Sequence, residues 1–505
     1  MKYQNPILVC DYSDPDVICV GDTFYMTASS FNFMPGLPIL TSKDLVNWKL
    51  ENYACQRIPF AIYDKPQNAK GLWAPSIRFH NGMFYIFVAT PDEGIFYTCT
   101  KNPLEKWSEL KCIVRGKGFE DPCPIWENEK LFVVHAFVKS RIGFNSKLAL
   151  FEVDPKTMTQ ISGDKIIFDG TKTQPTIEGP KFYKRNGFYY IFAPAGGVSA
   201  GWQSVLRSKQ ITGPYEEKIV LVQGESAING PHQGGWVETE KPNSKGIKDW
   251  FIHFQERGIY GRITHLQPMR WANDWPLIGT AIESGVAPGE PYKEFEKPFG
   301  FYSDKKEVKN PFLDFQFSAN PKAEYAEFYE DRIKLNACTT IKSGEPNIWK
   351  SPNVLTKKID AENFDFECEI DYAHLKENSC AGIVFLGDEY KALAIGKENG
   401  KVYFSFVESV GSENGDEERF ENIRMYPYKG SVGIVKYNIS FRKINDRTAH
   451  VTLSFDVDDG IEIKSKPFIL ENAHWVGGRF GFYAFTTGST EDSYVTVSSI
   501  KTSEV

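Results

Sequence analysis

One short pattern of hydrophobic and polar positions recurs five times in the first part of the chain. The segments TFYMTAS from Thr23, MFYIFVAT from Met83, LFVVHAF from Leu131, FYYIFAPA from Phe188 and WFIHFQ from Trp250 are aromatic and β-branched, which predicts strands. Their central aromatics, Tyr25, Tyr85, Phe132, Tyr190 and Phe251, stand roughly 47 to 61 residues apart, close to the period of a propeller blade. Gly21-Asp22, Asn81-Gly82, Asn128-Glu129 and Asn186-Gly187 precede four of them and supply hairpin turns, so each segment reads as the second strand of a blade. ILTSKDLVNW, FYTCTKNPLEKW and VLRSKQITGPY end in polar turns and an aromatic, and read as third strands with their exits. A β-sandwich of many hairpins needs no five-fold period, so the pattern predicts a five-bladed β-propeller over residues 1–300.

The pattern changes after residue 284. Pro288, Pro291, Pro298 and Pro311 among charged residues predict a linker over 284–312. From about Phe315 the runs FDFECEID, AGIVFLG, KVYFSFV, YNISFRK, HVTLSFDV and GRFGFYAFTT alternate apolar with polar, which predicts two packed antiparallel sheets, a β-sandwich over 315–505. The stretch Gly411 to Glu421, rich in Gly, Asp, Glu and Asn, reads as a solvated loop. The fold class expected is therefore all-β throughout.

Composition narrows the function classes. A chain of 505 residues is long enough for more than one core, and 41% hydrophobic with 14% aromatic residues suits a soluble all-β protein with aromatic-lined sites. A net charge of −7, without Lys/Arg clusters interleaved with aromatics, argues against nucleic acid as a partner. No run approaches the roughly 18 apolar residues of a membrane helix, so no membrane partner is expected. Met1 to Pro6 is polar and lacks an apolar signal core, which predicts a cytoplasmic protein, export after removal of a leader staying compatible. Nine cysteines without CxxC spacing argue against a disulfide framework or a zinc site. They read as reduced core residues, Cys19 in DVICV and Cys368 in FDFECEI among them.

If each blade begins with its innermost strand, residues about a dozen positions before each central aromatic line the axial channel. They read DPD at Asp14, WAPS at Trp73, EDPC at Asp121, IEGP at Glu178 and GPHQ at His232, each with a proline within two positions. An innermost strand has one edge on the channel and can forgo a ladder donor there. Three of these five places carry a carboxylate, and pseudo-symmetry turns all three towards one axis, where like charges in a partly desolvated pocket repel unless a proton is shared. Because side chains alternate along a strand, Glu120 and Asp121 are not both expected to point inward, and the proline register favours Asp121. The same register favours Asp14 over Asp11 and Asp16, which stand as supporting or substrate-binding residues. Asp92 and Glu93 follow a strand and read as solvated. His232 is the axial histidine, whereas His135, His253 and His265 lie within strands and read as core.

These segments resemble glycoside hydrolase family 43. NPILVCDYSDPDVICVGDTFYMTASSFNFMPGLPILTSKDLVNW is similar to the family's opening segment, GLWAPSIRF to its second blade, DPCP to its third and IEGPKFYKRNGFYYIF to its fourth. NGPHQGGWVE and GRITHLQPMRW resemble the last blade of the family's xylosidases, and the C-terminal sandwich resembles the concanavalin-like, lectin-type module that many of them carry. The resemblance implies that Asp14 activates water, Glu178 protonates the leaving oxygen, and Asp121 positions Glu178 and raises its pKa. Two carboxyl groups about 6.5 to 9.5 Å apart suit such inverting hydrolysis. Trp73 is expected to offer a ring face to the sugar. By resemblance Phe31 walls the subsite, Arg262 contacts the sugar and a neighbouring carboxylate, and His232 binds substrate or approaches a water-shelled calcium.

The activity implied is exo-acting release of xylose from the non-reducing end of β-1,4-xylo-oligosaccharides. The alternative is α-L-arabinofuranosidase, or both activities in one pocket; an endo-arabinanase and a non-catalytic carbohydrate-binding propeller stand behind these. The latter is disfavoured because all three carboxylates are present. Catalysis of this kind needs no cofactor, and a structural calcium, though compatible, has no clear ligand cluster in the sequence. The partner implied is a small oligosaccharide, and a homo-oligomer stays open. The sandwich is expected mainly to buttress the pocket.

Overall fold

The computed structural model describes residues 1–299, 310–339, 347–410, 417–421, 433–457, 461–471, 476–488 and 490–505. The chain forms a five-bladed β-propeller followed by a β-sandwich, an all-β fold in which the described residues add only two four-residue α-helices and three 3-10 turns. Blade one runs from Asp16–Val20 outward to Lys49–Cys55, blade two from Trp73–His80 to Lys111–Arg115, blade four from Lys181–Arg185 to Glu216–Leu221, and blade five from His232–Glu238 to Trp275–Ile278. Each is a four-stranded antiparallel meander. Blade three, which starts at Phe119–Glu127, carries a fifth short strand. The hairpin turns place Asn81, Asn128 and Asn186 at positive φ, as a two-residue connection between twisted strands demands.

Closure comes from the N-terminal segment. Lys2–Gln4 pairs with Glu294–Glu296, and Asn5 donates to the carbonyl of Leu266 while accepting its N–H, so the chain start is laced onto blade five. The proline-bearing stretch after residue 284 thus includes a paired strand; its residues 300–309 lie outside the described ones.

The sandwich packs two antiparallel sheets face to face. Asn363–Asp371 alternates buried with half-buried positions along its whole length, while Ser379–Leu386 is buried throughout because apolar clusters cover both of its faces. Glu417–Glu421 is a strand at the edge of one sheet rather than part of a loop; residues 411–416 lie outside the described ones. Cys368 is buried as expected, but Cys19 is exposed, at the far end of its strand. All nine cysteines are free thiols.

The two units share a core. Ile259, Tyr260 and Ile263 of blade five pack into the sandwich cluster, and Arg257 of the same turn is held by Glu362 and Asp446. A second seam lies under the blade-one loop. Asn32 Nδ2 donates to the Ser318 carbonyl at 2.6 Å, Met34 pairs with Phe317, and the Arg479 guanidinium sits 4.1 Å from the centre of the Phe33 ring. The sandwich therefore braces the loop that presents Phe31.

Candidate active site

Five dipeptides ring one end of the propeller axis: Ser13-Asp14, Trp73-Ala74, Glu120-Asp121, Glu178-Gly179 and His232-Gln233. The second residue of each has positive φ, at 56°, 34°, 56°, 55° and 41°. The next residue is proline in four blades and Gly234 in the fifth. Left-handed backbone costs a non-glycine residue roughly 1–2 kcal/mol, yet four of the five are not glycine. The register slips at the same places, between Trp73 and Ser76, between Glu120 and Cys123, and between His232 and Gly234. A bulge of this kind breaks the strict in-and-out alternation of a strand. Two successive side chains per blade can then serve the axis.

This arrangement corrects two expectations. Asp14 and Asp121 hold the positive-φ place before proline, but Glu178 stands one residue earlier, level with Glu120, Trp73 and His232. Glu120 is also not turned out to solvent: it is 8% exposed, and among the described residues its carboxylate has no hydrogen bond or ion pair. Burial pushes its carboxyl well above the ordinary range, and the charges of Asp121, Glu178 and Asp14 push it further, with Arg141 opposing.

Neighbouring blades hold each functional group. Ser29 donates to Asp14 Oδ2 at 2.5 Å and accepts the Ala74 N–H at 2.7 Å, tying blade one to blade two. Arg262, at the start of the third strand of blade five, reaches Asp14 Oδ1 at 3.2 Å, and its own N–H is anchored by Asp11 at 2.8 Å. Asp121 Oδ2 accepts the Gly179 N–H at 2.7 Å, which fixes the backbone beside Glu178. Burial raises the Asp121 carboxyl well above its usual value, and Glu178 and Asp14 add to this, while the Gly179 N–H and Lys181 pull the other way. His232 Nε2 lies 2.8 Å from Glu178 Oε1.

The aromatic wall is in place as well. Trp73 is half-buried, with the Phe31 ring edge-on at 6.2 Å and the Arg141 guanidinium 5.5 Å from its own centre. Phe33 turns away under Arg479. Arg141 is held by Asp92 at 3.2 Å, and Glu93 accepts from the Tyr63 hydroxyl at 3.1 Å, so this acidic pair is engaged rather than solvated.

One level deeper, side chains link the inner strands of different blades. Asp16 is fully buried; it accepts the Ile77 N–H at 2.8 Å and pairs with Arg78 at 2.6 Å, a structural role away from the pocket. Lys181, also fully buried, donates to the Pro75 carbonyl and to Ser76 Oγ, again joining blades across the axis. Its position two residues after Gly179 was the only sign of it in the sequence. His253 and His265 stack in the core; burial drops His253 to about 4 and holds His265 well below its ordinary value, so both are neutral. His135 is likewise buried. Among the described residues no group of three or more His, Cys, Asp or Glu is arranged to hold a metal, and no helix is long and apolar enough to cross a membrane.

Carboxylates from non-adjacent blades gathered at one end of a five-bladed propeller axis, beside an aromatic wall, suit acid–base cleavage of a sugar linkage. Comparison with known families makes this specific: the chain belongs to glycosyl hydrolases family 43, whose model matches residues 3–276, and residues 307–502 match the beta xylosidase C-terminal concanavalin A-like domain. A Xylanibacter ruminicola protein named "Putative beta-xylosidase" is 41% identical over 298 residues, which span 59% of this chain and 54% of that relative. The non-reducing end alpha-L-arabinofuranosidase BoGH43B of Bacteroides ovatus is 28% identical over 432 residues, 79% of this chain and 77% of that one. The crystal structure of a xylan beta-1,4-xylosidase from Bacillus halodurans superposes with a TM-score of 0.82 at 20% identity, covering 99% of this chain and all of that one, a likeness of fold.

Proposed function

We propose that this protein is an inverting, exo-acting β-D-xylosidase that removes xylose from the non-reducing end of β-1,4-xylo-oligosaccharides. The observation that carries the reading is the opposed support of two carboxyl groups from non-adjacent blades: Asp14, oriented by Ser29 and Arg262, and Glu178, oriented by His232 and by the Asp121 contact to Gly179. In the proposed step Asp14 takes a proton from water as the oxygen attacks the anomeric carbon. The glycosidic bond breaks on the opposite face, and Glu178 gives its proton to the leaving oxygen. His232 engages Oε1 and leaves Oε2 for that transfer. Trp73 offers an apolar face to the ring, with Phe31 behind it.

The 41% identical relative and the sandwich model, both named for xylosidases, support xylose as the sugar. A second reading, α-L-arabinofuranosidase or both activities together, is favoured by the Bacteroides ovatus relative. Hydrolysis of nitrophenyl β-D-xyloside and nitrophenyl α-L-arabinofuranoside by wild type tests the sugar, and hydrolysis of xylobiose, whose leaving alcohol needs a proton, by Asp14→Asn and Glu178→Gln tests the two roles. The xyloside should be the better substrate and both variants should be severely impaired. Full activity in either variant removes that residue from the mechanism.

A further inference from the structure

The pseudo-symmetry of the ring gives Glu120 a place that the sequence pattern hid. Trp73, Glu120, Glu178 and His232 occupy the same position in four blades, each immediately before a residue of positive φ. Trp73 and Glu120 share even the pairing: each lies opposite an alanine of the second strand, Ala89 and Ala136, and the register slips directly after each. Trp73 forms the aromatic wall and His232 touches Glu178, so side chains at this level serve the pocket. Glu120 is 8% exposed, and among the described residues it has neither a hydrogen bond nor an ion pair. Its carboxyl oxygens keep some access to solvent, so the unpartnered group opens outward from the core, where a ligand's hydroxyls can reach it. Its neighbours around the ring are the sugar-facing Trp73 on one side and Glu178 on the other.

We propose that Glu120 contacts the substrate, accepting hydroxyl hydrogen bonds from the sugar that lies against Trp73, and that it helps determine which pentose is accepted. This rests on the glycosidase reading above. The ligand chemistry is that of a ring with free hydroxyls, whose O–H groups supply the donors that the protein does not. Trp73 takes the apolar face of that ring and Glu120 a polar edge.

The test compares wild type, Glu120→Gln and Glu120→Ala on nitrophenyl β-D-xyloside and nitrophenyl α-L-arabinofuranoside, with melting temperature as the folding control. Loss of two hydrogen bonds to a neutral carboxyl predicts a fall in kcat/KM of roughly tenfold to thirtyfold for Glu120→Ala. Glu120→Gln, which keeps one carbonyl acceptor, should recover part of it. The two glycosides should lose unequally, so that their kcat/KM ratio changes, while neither variant melts lower than wild type. Equal losses on both glycosides accompanied by a lower melting temperature would mean a structural role and overturn the proposal. So would kcat/KM within about twofold of wild type on both. A wild type inactive on both glycosides would instead contradict the functional reading itself, which keeps the two failures apart.

Discussion

Blades three and four place a glutamate on the same backbone and treat it differently. Glu178 has a side chain 28% exposed and bonded to His232, the residue that occupies the same level in the next blade. Glu120 is 8% exposed, and the residue at its level in the next blade is Glu178, a like charge. The following residues differ in the same sense. Gly179 offers its N–H to Asp121, so the backbone beside Glu178 is tied to blade three, whereas no such bond is made by the backbone beside Glu120 among the described residues. The lesson is that five-fold pseudo-symmetry supplies equal places, and the neighbouring blade decides what each place does.

The largest effect expected from breaking this comparison is loss of the acid. Glu178→Gln should reduce turnover of xylobiose by about 10²–10⁴-fold, the usual contribution of a positioned proton donor. Steady-state assay of the same change at residue 120 should give a far smaller loss; equal losses would mean that the two places are not distinguished by their neighbours. Next comes the contact between the blades. Asp121→Ala removes the acceptor for the Gly179 N–H and should lower kcat by about 10²-fold, since a small misplacement of a catalytic group costs that much. Asp121→Asn keeps an acceptor and should lose less, a difference readable as kcat at unchanged fold by circular dichroism.

Gly179→Ala probes the backbone itself. Its φ is 55°, and an added Cβ would come 2.6 Å from the Gln233 side chain. Left-handed strain alone predicts a loss of about 1–2 kcal/mol in denaturant unfolding. An unchanged stability would show that the ring does not require this conformation. The smallest effect concerns pH. Burial and like charge raise the Glu120 carboxyl in the folded state, so the folded protein keeps a proton that the unfolded chain releases. Stability is therefore lost as pH rises above the unfolded value of about 4.3. Glu120→Gln removes that contribution, and its melting temperature should gain on wild type progressively as pH rises above about 4.5.

Much of the fold was legible because it is written in local chemistry. Tyr25, Tyr85, Phe132, Tyr190 and Phe251 mark the second strands, and Pro15, Pro75, Pro122 and Pro180 mark where four inner strands meet the axis. Asp14, Asp121, Glu178, Trp73 and His232 all come to the ring, and Arg262 reaches Asp14. What stayed hidden depends on backbone conformation or on distant partners. Positive φ at Ala74, Asp121 and Gln233 has no mark in the residue types, so the alternation rule sent Glu120 to the wrong side. Asp16 meets Arg78 and Lys181 meets Pro75 only because the blades close, and Arg141 finds Trp73 for the same reason. Glu417–Glu421 is polar enough to read as loop, yet it extends a sheet edge, where strands can carry charge.

The central claim is that water attacks under Asp14 while Glu178 protonates the leaving group, and the configuration of the first product tests it most directly. Proton NMR of freshly cleaved nitrophenyl β-D-xyloside, followed before mutarotation, should show α-xylose appearing first. First appearance of β-xylose would mean retention of configuration and would contradict the assignment of Asp14 as base.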